Sequence, residues 1–212
     1  MPIHWNADQP GSGRRLAASL RGIVLEIKHD APCRLPATAT MAQDWHSRAF
    51  AGITLPVSYY AGEFRDTDAA FPELIGYEVE VGGVRGVSCV DVPAALRTFE
   101  SGMRSTLAAL DPVIAAGAKP VTVAELDAAL RIAAIAHGEW TRIHHFANGN
   151  GRIARLWANW AAARYGLPLF VRLRPRPAAS LYAGAAAISM RGNHAPMVAV
   201  FHEMLRSYLN ES

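Results

Sequence analysis

The chain has 212 residues, 51% hydrophobic and 18% charged, with a formal net charge of +3; this balance fits one globular domain spanning 1–212 and excludes a disordered chain. Two cysteines, Cys33 and Cys89, exclude a disulfide framework, and no Cys/His cluster has zinc spacing. No apolar run reaches the length of a membrane span, because Arg21 and Glu26 interrupt Leu16–Ile27.

The opening Met-Pro-Ile-His-Trp-Asn lacks the parts of a secretory signal. The expectation is a cytoplasmic protein in a reducing compartment, or one exported by a dedicated secretion machine. Residues 12–28 place Leu16, Leu20, Ile23, Val24 and Ile27 at helical period. After Pro32 and Pro36 a shorter helix is expected over 40–50. Tyr77–Val81 alternates apolar and polar residues, Gly82-Gly83 follows, and Val84–Val90 returns. That pattern predicts a hairpin within about 76–91, with Val81 paired to Val84 and Glu80 opposite Arg85. From the pattern alone it is a surface hairpin.

A helix over Pro93–Leu110 follows Asp91. Thr122 and Glu125 have capping-box spacing for a long helix through Leu126, Leu130, Ala133, His137 and Trp140. His137 stands seven residues before His144 on nearly the same helical face; it reads as a structural histidine with a local partner. An amphipathic helix over 152–165 carries Trp157 and Trp160 as core residues and stops at Gly166-Leu-Pro168. Two more helices, about 178–190 and 195–209, lie beyond Pro175 and Pro177. The sum is a mainly α fold with one small β-hairpin.

Charge is unevenly placed. From Trp140 to His202 there is no Asp or Glu, while Arg142, Arg152, Arg155, Arg164, Arg172, Arg174, Arg176 and Arg191 all fall there. An acid-free, arginine-bearing stretch suggests a polyanionic ligand. Compositional preference for Arg and Ala is the competing explanation for the outlying arginines.

The loop 144–155 lies within that stretch and reads His-His-Phe-Ala-Asn-Gly-Asn-Gly-Arg-Ile-Ala-Arg. Gly149 and Gly151 around Asn150 allow positive φ, so successive N–H groups can face one concave space as an anion nest. The helix that follows adds its unpaired first amides and the positive end of its dipole. Arg152 and Arg155, three apart, project to one side, and their planar forks suit phosphate. His144 supplies a group able to take a proton near neutrality. A proton acceptor beside a phosphate cradle is the minimum for phosphoryl or nucleotidyl transfer.

The segment resembles the Fic (Fido) signature, His-Pro-Phe-x-[Asp/Glu]-Gly-Asn-Gly-Arg-x-x-Arg, in seven fixed identities: His144, Phe146, Gly149, Asn150, Gly151, Arg152 and Arg155. The resemblance implies a compact helical domain that transfers AMP from ATP to a Tyr, Ser or Thr hydroxyl of a target protein. His144 would be the catalytic base. Asn148, Gly149, Asn150, Gly151, Arg152 and Arg155 would bind the nucleotide, and Phe146 would anchor the loop. The hairpin would be the flap that holds the target peptide, through Val79, Glu80, Val81 and Val84. Gly62-Glu-Phe-Arg65 is similar to the run that precedes this flap in the family.

Two positions depart from the signature. His145 stands at the proline. Asn148 stands at the acidic residue that helps hold Mg2+, so it is at most an uncharged metal ligand and Asn148→Asp is expected to strengthen metal binding and turnover. A module that binds nucleotide or a partner without turnover, and transfer of a different phosphate-containing group, both stay open. A DNA-binding role rests on arginine content alone, so no nucleic-acid and no membrane partner is expected; homo-oligomerisation is left open. Finally, Ser207 and Glu211 have the spacing of the family's inhibitory helix, [Ser/Thr]-x-x-x-Glu-[Gly/Asn], with Ser212 at the last position. Glu211 would then pair with Arg155 in competition with phosphate.

Overall fold

The computed structural model describes residues 2–6, 11–66, 68–81, 83–177 and 180–211. Gly82 of the expected turn, residues 178 and 179 of an expected helix, and Ser212 lie outside them. The helices are α1 (Ser12–Asp30), α2 (Ala39–Ala49), α3 (Val92–Leu110), α4 (Val123–Ile143), α5 (Asn150–Arg164), α6 (Ser180–Ser189) and α7 (Ala195–Glu211). The strands are β1 (Glu80–Val81) and β2 (Val84–Arg85).

The helix ends follow local chemistry. Thr122 accepts the Glu125 N–H at 3.2 Å, and the Glu125 carboxylate reaches back to the N–H of Val121 at 2.7 Å. The return bond therefore lands one residue before the N-cap of a standard capping box. Thr38 caps α2 by accepting the Met41 N–H. In α1, Leu16, Leu20, Ile23 and Ile27 form the buried stripe that their spacing predicts.

Helix α5 is not amphipathic. Every residue from Ile153 to Arg164 is buried, because α4 packs along it on one side and α1 and α2 on others. A helix enclosed all round needs apolar or small residues on every face, and the alanines at 158 and 161–163 let its neighbours approach closely. Trp157 and Trp160 fill the core with Trp140, Phe99 and Trp45. Helices α3, α6 and α7 pack against the outer side of α4.

The hairpin pairs antiparallel with Glu80 opposite Arg85 and Val81 opposite Val84, the register read from the sequence. Its ladder is short, two residues per strand, extended by the Gly86 N–H to Val79 carbonyl bond at 3.0 Å.

At the far end of α5, Arg164 is 4% exposed and grips Asp111 through two bonds, 2.6 and 3.2 Å, while Tyr165 donates to the same carboxylate at 3.0 Å. Removing the carboxylate leaves a buried guanidinium with, among the described residues, the Leu35 carbonyl and the Trp160 ring. Asp111→Ala is expected to cost about 3 kcal/mol in urea unfolding; a loss under about 0.5 kcal/mol would show the pair to be neutral.

Candidate functional site

The turn from α4 into α5 is built around unusual backbone. His144 caps α4 in the left-handed region, φ 56°, and Gly149 repeats that conformation, φ 81°, one residue before α5. Glycine is required at 149 on two grounds. Its φ is positive, and a Cβ there would stand 2.7 Å from the Phe50 ring and 2.8 Å from His46 Nε2.

Between the two turns the loop is tied down from inside. Asn150 accepts the Phe146 N–H at 2.9 Å and donates to the Phe146 carbonyl at 2.8 Å. The side chain of Asn150 is thus committed to closing the loop, and what it offers a ligand is its backbone. Phe146 is fully buried and stacks on His46 at 3.8 Å, the anchoring expected of it. His46 in α2 was not legible as a site residue. The Gly62 N–H donates to its Nδ1 at 3.0 Å, so Nε2 carries the proton and donates to the Asn148 carbonyl at 2.9 Å.

Arg65 holds the other side. It has no exposure, and its guanidinium donates to the carbonyls of His144 (2.7 Å), Tyr77 (2.8 Å), Val87 (2.8 Å) and Ile143 (3.1 Å). Its own N–H donates to the His145 carbonyl at 2.7 Å. Burial pushes its pKa down to about 10, against the pull of Glu78, so it stays charged at neutral pH. One side chain joins the end of α4, the loop and both strands' approaches to the hairpin. Gly86 completes that junction: a Cβ there would meet His144 Cβ at 2.9 Å, so only glycine lets the hairpin pass this close.

His144 Nδ1 lies 2.5 Å from the Thr141 carbonyl. A carbonyl only accepts, so Nδ1 carries the proton and Nε2 keeps its lone pair. Burial, together with the Arg65 charge, pushes the His144 pKa down to about 4 despite the Thr141 bond, which raises it. At neutral pH the imidazole is neutral and able to accept a proton.

A cavity of about 800 Å³ opens in front of this histidine. Its wall includes every predicted nucleotide residue, Asn148, Gly149, Asn150, Gly151, Arg152 and Arg155, and Val79, Glu80 and Val81 of the hairpin. Val84, opposite Val81, is not on the wall. Arg152 lies over the Phe50 ring, and Arg155, 5% exposed, donates to the Tyr182 hydroxyl at 3.4 Å and the Leu173 carbonyl at 3.2 Å. His137, read as structural, does find a partner in Tyr182, 2.8 Å from its Nε2. Both also line the cavity, as do Arg174 and Arg176 of the acid-free stretch and His4, which no local pattern marks.

Two expectations need correction. Ser207 and Glu211 are exposed at the end of α7 and absent from the cavity wall; Glu211 lies 4.0 Å from Arg172, not beside Arg155. Helix direction carries the chain end away from the site, and no inhibitory pair forms in this arrangement. Asn148, second, is no vacant ligand. Its Nδ2 donates to the Trp5 carbonyl at 2.7 Å and its Oδ1 accepts the Gly149 N–H at 2.6 Å. An aspartate would set a carboxylate against the Trp5 carbonyl, so Asn148→Asp costs a contact and does not simply restore a metal ligand.

The sequence profile of the Fic/DOC family matches residues 36–162. The chain belongs to the Fic/DOC family. It is similar in structure to a Fic domain containing signaling protein from Bacteroides thetaiotaomicron, with a TM-score of 0.67 and 19% identity over 95% of this chain and 72% of that one. At that identity the likeness is one of fold. Among curated proteins no match was found. Among the described residues no helix is long and apolar enough to cross a membrane.

Arg65→Lys leaves one compact ammonium facing four carbonyls, and stability to urea should fall by about 3 kcal/mol or more; a change within about 0.5 kcal/mol would remove Arg65 from its organising role. Burial pushes the pKa of His46 and of His137 down to about 3, that of His144 to about 4 and that of His145 well down. Unfolded histidines take up protons below about 6.5 and these folded ones do not, so the unfolded state binds more protons and stability rises with pH. Between pH 6.5 and 4.5 stability should therefore fall by on the order of 1 kcal/mol per pH unit for each such histidine. A flat thermal midpoint over that range would contradict the neutral assignments.

Proposed function

We propose that this domain transfers AMP from ATP to a Tyr, Ser or Thr hydroxyl of a partner protein. The observation that carries the reading is the His144 tautomer: the Thr141 carbonyl holds the proton on Nδ1, leaving Nε2 as a neutral base at a cavity lined by the α5 N-terminus and arginines. Nε2 takes the proton of the target hydroxyl. The oxygen forms a bond to the α-phosphorus as the bond to the bridging oxygen of the β-phosphate breaks, and pyrophosphate leaves with that electron pair.

The amides of Asn150 and Gly151 and the side chain of Arg152 would hold the phosphates, and Arg155 would take the terminal one. Because these groups are fixed before ligand arrives, they stabilise developing charge without reorganising. Val79, Glu80 and Val81 face the cavity from the hairpin, with Val84 bracing β1 from the paired strand. The hairpin would seat an extended target segment by strand addition.

A magnesium ion, which the family implies, needs oxygen ligands and favours carboxylates. The oxygen offered by Asn148 already accepts the Gly149 N–H, and among the described residues no group of three His, Cys, Asp or Glu is placed to hold a metal. Asn148 would be at most a weak, uncharged ligand, with the nucleotide phosphates holding most of the ion.

Replacing His144 with alanine should lower transfer by about 100-fold or more while ATP affinity stays within a few-fold, because the imidazole acts on the hydroxyl and not on the phosphates. In the wild-type protein the rate should stay level from pH 8 to about 5.5, since the base titrates at about 4. An acid limb centred near 6.5, or an active alanine variant, would remove His144 from the base role.

A further inference from the structure

We infer that Tyr182 is a positioning residue that sets Arg155 for the third phosphate, and so makes the cavity prefer a nucleoside triphosphate to a diphosphate. The inference rests on the nucleotide reading above and adds to it a residue of α6 that no motif marks.

The hydrogen bonds around Tyr182 have a direction. A guanidinium only donates, so Arg155 Nη1 donates to the Tyr182 hydroxyl oxygen, 3.4 Å away. Among the described residues the phenol has one other hydrogen-bond partner, His137 Nε2 at 2.8 Å. The phenolic hydrogen therefore goes to Nε2, and the chain runs from Arg155 through Tyr182 to His137. That places the imidazole proton on Nδ1, a buried atom without a partner among the described residues. The opposite tautomer would leave both Nδ1 and the phenolic hydrogen unmet, so the assigned one costs less.

The hydroxyl has a fixed place because its ring is held on several sides. Tyr182 is 3% exposed; the His137 ring meets it edge-on at 5.6 Å between centroids, and Arg176 lies over it at 5.8 Å. His137 is buried in α4 and packs against Phe201 of α7. Three helices thus set the position of one oxygen at the cavity wall. Burial keeps His137 neutral, pushing its pKa down to about 3, so Nε2 remains an acceptor for the phenol at neutral pH.

Arg155 is 5% exposed, and its other terminal nitrogen, Nη2, donates to the Leu173 carbonyl at 3.2 Å. An oxygen at each terminal nitrogen fixes the plane of the fork. A guanidinium has more donors than these two oxygens take, and Nε is buried without a partner among the described residues. A buried cation held by neutral oxygens is stabilised when an anion enters beside it. Because the plane is set beforehand, the phosphate does not have to order a long side chain. Loss of the hydroxyl would free one end of the fork, and only a ligand long enough to reach Arg155 would register the change.

Titration calorimetry of the full chain with ATP, ADP and AMP, in one buffer with excess Mg2+, tests this. The wild type should bind ATP about tenfold or more tighter than ADP. Tyr182→Phe keeps the ring beneath Arg176 and removes the hydroxyl alone; ATP affinity should fall about tenfold, with ADP and AMP held within about twofold. Tyr182→Met, which fills the space with neither ring nor hydroxyl, should lower the ATP-to-ADP ratio as well. The ratio is read within one preparation, so unfolded molecules lower the stoichiometry of every ligand and leave the ratio unmoved. In an Arg155→Ala background, Tyr182→Phe should change ATP affinity by less than about twofold; a further tenfold loss there would overturn the claim that Tyr182 acts through Arg155. Equal wild-type affinity for ATP and ADP, an unchanged ratio in both Tyr182 variants, or an equal fall for all three ligands would overturn the inference and leave the nucleotide reading standing. Absence of binding of any of the three by the wild type would overturn the nucleotide reading and this inference with it.

Discussion

The guanidinium of Arg65, buried without exposure, donates to carbonyls from the end of α4 and from both approaches to the hairpin, and the placement of His144 depends on those bonds. The last carbonyls of a helix have no intrahelical donors and carry the negative end of its dipole. At the end of α4 the chain turns sharply through a left-handed residue, which would leave the carbonyls of Ile143 and His144 facing the interior. A planar, permanently charged fork answers both needs at once, and no other side chain has enough donors in one plane. Because the same fork also reaches Tyr77 and Val87, the hairpin cannot move far from the base without breaking a buried, charge-assisted bond. The proposed base and the surface proposed to present its substrate are thus positioned by one group.

Around that fixed point the site keeps its histidines neutral and its arginines charged. Burial removes the proton from His46, His137, His144 and His145, while Arg65 stays protonated near a pKa of about 10. His46 uses its neutral form structurally, accepting from Gly62 and donating to Asn148. His144 uses the same electronic state differently, donating its proton to the Thr141 carbonyl and leaving the other nitrogen with its lone pair. His145, at the position where the family signature has proline, stacks on Trp140 at 3.9 Å, and neither ring nitrogen has a partner among the described residues. It behaves as an aromatic plug, and its unpaired nitrogens are a cost that the surrounding packing offsets.

What was legible in the sequence was local. The hairpin register followed from alternation around two glycines, and the α4 cap from Thr122 and Glu125. The loop followed from a twelve-residue motif that carries its own geometry. What was not legible depends on residues far apart in the chain. Asn148 reads as a defect until Trp5, 143 positions away, is seen to need its NH2. Arg155 reads as lacking a partner, and Glu211 has suitable spacing to supply one, but α7 runs elsewhere and Tyr182 takes the place. Helix α5 shows an amphipathic pattern only because small residues carry no periodic signal; its enclosure is decided by which helices arrive around it.

Transfer of AMP requires that the target oxygen attack the α-phosphorus. Incubating the full chain and a protein extract with ATP labelled at the α position, and separately at the γ position, tests it most directly. Covalent label on protein from the α position and none from the γ position is the predicted result. Label from γ alone would mean phosphoryl transfer, and label from neither would mean a site that binds without turnover; either result would contradict the claim.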